Sequence, residues 1–354
     1  MKGGSPVRVR LKDIAQLTGV SITTVSLVLN NKPIRIAGAK RTEIIETAKK
    51  LNYTVNNAAR TLVTQKSLVL GLIVPDIENM FFSKIAGKLG ELCIENNYVL
   101  LNLISNDSLE TDLLLLDLLT ARQVDGIFFC PSSGSLDSVE LLEKIKHLAT
   151  PIVLVDRYFD DPAINKVYFD NKSGSYDAVD YLIRMGHQKI AIIAPPQENR
   201  FRNSRLEGYL TAIKDNNFPI DDSLIYFGDY KFNSGFEIAA DIINSEATAV
   251  LSCNDMMTLG FLKGLYELNK KVPADISVVS YDNILDDYTF GIEVTSVLQD
   301  TTILAREAFK VYQDHIKTKK VKEKILKTEL IIRSSVMDLN ADLPTVLPIA
   351  EHWF

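Results

Sequence analysis

Apolar and polar positions along the chain follow two different rhythms, which change over near residue 67. In the first stretch, LKDIAQLTGV places Leu11, Ile14 and Ala15 on one helical face, and Gly19 suits the left-handed turn that ends a helix. Ser21 is then a natural N-cap, and ITTVSLVLN sets Val25, Val28 and Leu29 on one side of a second helix. A third helix is predicted from about Ala39 to Leu51, with Ile44, Ile45 and Ala48 inward. Helix, glycine turn, helix is the helix-turn-helix pattern, whose second helix enters the DNA major groove.

From residue 68 the rhythm becomes short apolar runs separated by helical stretches. LVLGLIVP, VLLNLIS, GIFFC and PIVLVD read as buried parallel strands, and FFSKIAGKLGELCIENN, TDLLLLDLLTARQ and VELLEKIKHLA as the helices between them. The alternation resumes with KVYFD, IAIIAP, LIYFGD, TAVLSC and DISVVSYD. Two doubly wound α/β series predict two lobes with a cleft between. Ligands of such sheets lie at the carboxyl ends of strands. There the sequence places Asp76 and Asn79, Asp156 and Arg157, Asp170 and Asn171, Asn254 and Asp255, and Asp282. With Phe81, Phe82, Tyr158 and Phe201 nearby, such carboxylates, amides and a guanidinium suit a polyhydroxylated ligand. Asp255, just before MMTLG, has the alternative role of a helix cap.

Charge changes the picture of the first stretch. The 354 residues carry a net charge of −6, which by itself disfavours a nucleic-acid partner. Residues 1–66, however, carry +9 and the remaining 288 carry −15. A basic head on an acidic body is the footprint of a nucleic-acid reader fused to another unit. The length predicts two or three folding units, and no apolar run reaches the roughly 18 residues of a membrane span. MKGGSPVRVR has no apolar core of a secretory signal, so a cytoplasmic location is expected. Cys93, Cys130 and Cys253 lie far apart without a CxxC, which fits reduced thiols and neither a disulfide framework nor zinc. There is no Walker A loop, HExxH or GxSxG, and the four histidines are scattered. No enzyme, cofactor or metal is expected.

The residues in order carry a resemblance. DIAQLTGVSITTVSLVLN, followed by LNYTVNNAARTL, resembles the LacI/GalR family of bacterial transcription regulators, and the likeness continues through LGLIVPDIENMFF, VDGIFF, PIVLVDR, VYFDN, LIRMGHQKIAII, RLEGY, CNDMMTLG and DISVVSYDN, over about residues 8–336. It implies an all-α helix-turn-helix head (1–54), a hinge helix (55–66) and a periplasmic-binding-protein-like α/β effector domain of two lobes (67–340). The lobes are expected at about 67–168 with 297–324, and 169–296 with 325–340. Crossovers would lie near Asp156–Asp170 and Ser296–Asp300, and a last strand around Ile325–Ile332 would return to the second lobe. The tail 341–354, with Trp353, is expected to be disordered, with an oligomer contact as the alternative. The implied function is that of a homodimeric repressor on a pseudo-palindromic operator, controlled by a small-molecule effector, with a sugar as the expected class. The alternatives are a sugar-binding protein without DNA function and a nucleobase-corepressed regulator.

The resemblance also implies residue roles. Ile22, Thr23 and Leu27 match the base-reading positions, and Thr18, Ser21, Thr24, Ser26 and Asn30 match positions that hold phosphates. The family's base-reading Arg is replaced by Leu27, which cannot grip guanine and can contact a thymine methyl, so a different half-site is expected. In the hinge, Asn56, Ala59, Arg60 and Leu62 match the minor-groove contacts, with Leu62 as the wedge at the central base step. Val55 replaces the usual Pro there, and Met80 replaces the Pro of the effector loop. Arg205 matches an effector-binding Arg, alongside Asp76, Asn79, Phe81, Phe82, Asp156, Arg157, Asn254 and Asp282 as cleft residues. His187 matches a position with a structural role.

Overall fold

Local chemistry sets the ends of the head's helices: α1 (Leu11–Thr18), α2 (Ile22–Leu29) and α3 (Gly38–Lys50). Gly19 adopts φ +65° at the end of α1, and its N–H closes on the Ala15 carbonyl. Ser21 Oγ caps α2 by accepting from Thr24 N at 3.0 Å. Ile14, Ala15, Val25, Val28, Ile44 and Ala48 then meet in one small core. This computed structural model describes residues 9–30, 32–53, 66–195, 204–287 and 291–341. The expected hinge helix and tail lie outside the described residues, apart from Lys66 at the end of the first and Ala341 at the start of the second. The chain divides into two compact units between Ser67 and Leu68.

The second unit contains two parallel-stranded sheets. In the first, β1 (Val69–Val74), β2 (Val99–Ile104), β3 (Gly126–Phe129), β4 (Ile152–Val155) and β5 (Asn165–Phe169) run in the order β2-β1-β3-β4-β5. The second holds β6 (Ile190–Ala194), β7 (Ile225–Phe227), β8 (Ala249–Ser252), β9 (Ser277–Asp282) and β10 (Thr295–Leu298), in the matching order β7-β6-β8-β9-β10. Helices α4 (Met80–Glu95) and α11 (Thr301–Thr318) cover one face of the first sheet, burying Phe82, Leu89 and Phe309 on Leu70, Leu72 and Phe128. On its other face α5 (Leu109–Ala121) and α6 (Val139–His147) bury Leu116, Leu119 and Leu141 on Ile73, Ile127 and Leu154. Alternate residues of one apolar run thus feed two cores, which is why the strands read as continuous hydrophobic stretches.

The second sheet is wrapped by α7 (Asn171–Arg184), α8 (Ser204–Asp215), α9 (Phe232–Asn244) and α10 (Asp255–Glu267). Helices α9 and α10 approach so closely that a Cβ on Gly260 would overlap the Phe232 carbonyl, which only glycine avoids. No helix among the described residues is long and apolar enough to cross a membrane.

Several expectations need correction. VLLNLIS is not a buried strand: β2 is the edge of its sheet, with Val99 60% exposed. KVYFD does not open the second series, because β5 pairs with β4. The expected strand Ile325–Ile332 is two strands in two sheets: β11 (Glu323–Leu326) lies parallel to β5, and β12 (Glu329–Ile331) antiparallel to β10. The chain therefore crosses between lobes after β5, after β10 and again at Lys327–Thr328. The expected boundary at 296/297 falls inside β10, which stays in the second sheet through Leu298, and the one at 324/325 falls inside β11. Both added strands occupy free sheet edges and are half-exposed, so hydrophobic periodicity carries no signal for which sheet each joins.

Candidate functional site

The strand order reverses between β1 and β3 in one lobe and between β6 and β8 in the other, and an open α/β sheet binds its ligands at the carboxyl side of such points. A cavity of about 430 Å³ lies there, within the usual size range of small-molecule sites. The first lobe contributes Asn79, Phe81, Phe82, Ser133, Asp156, Arg157 and Tyr158 to it, and the second contributes Arg205, Tyr230, Asn254 and Asp282.

Arg157 spans the lobes. Its Nη1 donates to Asp107 Oδ1 at 2.9 Å and to the Pro131 carbonyl at 3.2 Å. Its guanidinium carbon lies 5.7 Å from the Phe82 ring centroid and 5.3 Å from that of Tyr230, in the opposite lobe. Arg205 is held as firmly. It donates to the Cys253 carbonyl and to Gln299 Oε1 at 2.9 Å, reaches Asp282 Oδ1 at 3.5 Å, and lies 4.1 Å from the Tyr281 ring centroid. Asp156 follows β4 with φ +66° and Asp282 ends β9 with φ +90°, conformations that tight surroundings must hold for a residue with a Cβ. The buried Oδ1 of Asp156 has no hydrogen-bond partner among the described residues.

The structure brings eight of the nine expected cleft residues to the cavity. Asp76 is the exception: its Oδ1 accepts from Glu78 N at 2.8 Å and shapes the turn after β1. Phe201 lies outside the described residues. Asn79 and Asn254 line the cavity while capping α4 and α10, their Oδ1 atoms accepting from Phe81 N at 3.0 Å and Met257 N at 2.9 Å. The helix cap at Asp255 is therefore corrected to Asn254. Asp255 is buried and accepts from Ser280 Oγ, Ile284 N and Leu285 N, which fixes the loop after β9. Asp170 caps α7, accepting from Ser173 N at 3.1 Å.

Tyr230, Asp107, Ser133 and Gln299 are not found by reading the sequence alone as above. Tyr230 and Asp107 lie just past the ends of β7 and β2, in GDY and SND, where the strand-end rule finds them if applied to every strand. Gln299 directly follows β10, where the same rule finds it. His187 is buried, with Nδ1 2.9 Å from Thr248 Oγ1 and Nε2 3.2 Å from the Met337 carbonyl, and has no part in the cleft.

Burial pushes Asp255 up to about 7, with the Asp282 charge adding to it, and pushes Asp282 up to about 6 against the pull of Arg205. Burial also raises Asp156. A carboxyl whose folded pKa exceeds its unfolded value of about 3.9 stabilises the fold fully below that value, and this stabilisation is lost as pH rises through the folded pKa. His187 runs the other way: burial lowers its pKa, so its contribution is lost as pH falls. Comparing wild type with the Asp255→Asn/Asp282→Asn double variant cancels the His187 effect. The melting-temperature difference, wild type minus variant, is expected to be more favourable to wild type at pH 5.5 than at pH 8. An equal difference at both pH values would contradict this assignment.

In the head, Val25 and Val28 of α2 face the core, while Ile22 is 52% exposed, Thr23 is exposed, and half-buried Leu27 lies outside the core cluster. The exposed face carries no formal charge from Ser21 to Asn30. Thr18 does not join it: the residue is 1% exposed and its hydroxyl donates to the Ile14 carbonyl at 2.7 Å. Ser21 Oγ is engaged in its cap, and Asn30 donates to the Ser26 carbonyl at 2.8 Å. Asn56, Ala59, Arg60 and Leu62 lie outside the described residues.

Comparison with known proteins agrees with both units. The model of bacterial regulatory proteins of the lacI family matches residues 10–56, and that of periplasmic binding proteins and sugar binding domain of the LacI family matches residues 67–335. The HTH-type transcriptional repressor PurR of Vibrio vulnificus (strain CMCP6) is 31% identical over 336 residues, covering 93% of this chain and 99% of its own. The lac repressor dimer, solved bound to operator and the anti-inducer ONPF, is 25% identical with a TM-score of 0.83, covering 93% of this chain and 99% of that one. A LacI family transcriptional regulator from Enterococcus faecium, solved with bound ribose, is 29% identical with a TM-score of 0.68, covering 77% of this chain and 99% of that one. A helix-turn-helix head joined to a two-lobed sensor, matched over nearly its whole length by repressors of this kind, places the chain in the LacI family of DNA-binding transcription regulators.

Proposed function

We propose that this regulator is a homodimeric, cytoplasmic repressor of a pseudo-palindromic operator, and that a sugar bound in the cleft sets its DNA affinity. The observation that carries the sugar reading is the lining of the cavity, which combines the carboxylates of Asp156 and Asp282 with two arginines and several aromatic rings. Carboxylate acceptors and forked donors suit the hydroxyls of a polyol, and ring faces suit its C–H side. The ribose bound by the Enterococcus faecium regulator supports the same class. Binding and not catalysis is the role proposed for the cleft, because its two arginines are engaged with neighbouring acceptors and, among the described residues, no activated nucleophile faces it.

A second copy of the chain is supported by apolar side chains on the first lobe. Ile94, Val99, Ile104, Leu114 and Leu118 are all more than a third exposed, on or beside the edge strand β2. Two-fold symmetry would impose a two-fold operator. Ligand acts through its differential affinity for two arrangements of the lobes, and the Arg157–Tyr230 contact between them is the natural element to bias.

The test is operator binding measured by fluorescence anisotropy, using a duplex selected from a random pool. Affinity should fall about 10³-fold or more between roughly 50 and 200 mM salt, as expected for several phosphate contacts, and should shift on addition of a sugar. Salt-independent binding would rule out the phosphate-contact reading of the head. Sugar binding without any DNA binding would leave a ligand-binding protein, and a response to nucleobases alone would replace the sugar by a corepressor.

A further inference from the structure

Charge is spread unevenly over the second unit. Residues 317–324, KTKKVKEK, hold five lysines and one carboxylate, a net charge of +4. The rest of the chain after residue 66 carries −19. Lys317 lies in the last turn of α11, Lys319 and Lys320 in the loop after it, Lys322 just before β11 and Lys324 within it. All five are exposed. Among the described residues, Lys322 alone of the five forms an ion pair, with Asp314 Oδ2 at 2.7 Å. The segment's own carboxylate is turned inward: Glu323 Oε1 accepts from the Tyr168 hydroxyl at 2.5 Å and lies 3.5 Å from the ammonium of buried Lys166. The outer side of the segment is left cationic.

The fold fixes where these lysines lie. β11 runs parallel to β5, as β5 does to β4, β4 to β3 and β3 to β1, so the residues leading into β11 and into β1 share one end of the sheet. Leu68, which leads into β1, is where the chain enters this unit from the head. The end of α11 is tied to the same place. Tyr312 donates to the Asp125 carbonyl at 3.3 Å, and Asp125 Oδ2 accepts from Leu68 N at 3.1 Å. Lys322 N donates to Asn165 Oδ1 at 3.0 Å, which pins the lysine loop onto the start of β5. Four strand spacings, roughly 19 Å, separate β11 from β1. β11 is also the edge of its sheet opposite β2, so a second copy seated on β2 leaves it open.

Exposed lysines without ion partners gain most from a polyanion with closely spaced charges. Duplex DNA carries one negative charge per roughly 1.7 Å of axis and releases counterions when lysines replace them. The DNA-binding head is tethered to the same end of the sheet. Residues 54–67 span at most roughly 50 Å, so a duplex held by the head is offered to the lysines at high effective concentration. A net −19 over the rest of this unit disfavours phosphate, and this face is the exception.

Resting on operator binding by the head, we propose that the lysine face of residues 317–324 is a second DNA-binding surface, which holds the phosphates of the duplex flanking the operator. Contacts to phosphate alone add affinity without adding sequence preference.

DNA binding by the full chain tests this with two duplexes and one variant. The short duplex is the selected operator alone, and the long one adds about 15 base pairs of unrelated sequence on each side, roughly 50 Å of helix. At about 50 mM salt the wild type should bind the long duplex about tenfold or more tightly than the short one, with a salt dependence steeper by about two or more counterions. Lys317→Gln/Lys320→Gln/Lys324→Gln removes three exposed charges that take part in no ion pair among the described residues. The variant should bind the short duplex nearly as the wild type does and lose most of the advantage of the long one. Hydroxyl-radical footprints should extend beyond the operator for the wild type and stop at its ends for the variant. Equal affinity of the wild type for both duplexes would overturn the proposal; binding to anionic lipid vesicles by the wild type and not the variant would then assign the lysines to a membrane surface. A long-duplex advantage unchanged in the variant would overturn it too, because non-specific binding by the head then accounts for the gain. Failure to bind the short duplex at all would overturn the operator reading, and the proposal with it.

Discussion

Arg205→Ala protein is expected to bind operator and give no response to ligand at any concentration that saturates the wild type. The loss should be complete because Arg205 serves the floor of the cleft in several ways at once. Its guanidinium lies over Tyr281, donates to the Cys253 carbonyl and Gln299, and is the counter-charge of Asp282. Although burial opposes charging, the Asp282 carboxylate helps hold Arg205 protonated above its usual value. Removing it leaves a carboxylate only 3% exposed without its partner. Breaking one side of such a buried pair costs about 3–5 kcal/mol, and in a domain of this size each kcal/mol moves the melting temperature by about 2–4 °C. Thermal unfolding should therefore fall by roughly 10 °C, and by more at pH 8 than at pH 5.5, because the orphaned Asp282 is neutralised at the lower pH. Arg205→Lys keeps the charge and loses the fork. It should recover part of the stability and little of the ligand response. A normal response in a folded Arg205→Ala protein would move the ligand site out of this cleft.

How much of the fold and the cleft is legible in the sequence depends on what kind of force fixes each feature. Val25 and Val28 in the head, and Leu70 and Leu72 in the body, are placed by burial, and burial leaves a period that can be counted along a chain. Strand ends are placed by the same period, so Asp156, Arg157, Asn254 and Asp282 are found at the polar positions that close each apolar run. Edge strands escape that logic. The segment from Glu323 to Ile331 is half-exposed, and only three-dimensional pairing with β5 and β10 divides it between two sheets.

Hydrogen-bond partners escape it too. Asp76 and Asp156 each come just after a strand, yet one serves its own turn and the other leaves an oxygen buried and unused. Thr18 resembles a phosphate contact by position, and its hydroxyl is consumed one turn back in its own helix. Gln299 and Lys166 are both essentially buried and reach partners far away in the chain, which no local pattern announces.

Leu27→Arg should redirect the operator. The side chain is half-buried, is absent from the core formed by Ile14, Val25, Val28 and Ile44, and has no neighbouring formal charge between Ser21 and Asn30. An arginine there displaces no member of that core, so the melting temperature should move little, as for most substitutions outside a core, within about ±0.5 kcal/mol. On DNA the same change has two effects that must be separated. One added positive charge strengthens binding to every duplex and steepens the salt dependence by about one counterion. The planar fork adds something an isolated charge cannot, a paired contact to guanine O6 and N7 worth about 1–3 kcal/mol of discrimination. That is roughly a 5- to 150-fold preference for guanine at one position of each half-site. Selection of bound duplexes by wild type and variant, read by sequencing, should show guanine appearing at that position with the rest of the half-site retained. The affinity ratio between the two operators, measured at one salt concentration, removes the non-specific gain. If affinity rises equally for both operators, the residue faces the phosphate backbone and base reading belongs to Ile22 and Thr23. If the ratio inverts, the wild-type leucine is itself a base-reading residue, and an apolar contact there is part of how this regulator tells its own operator from those read by an arginine.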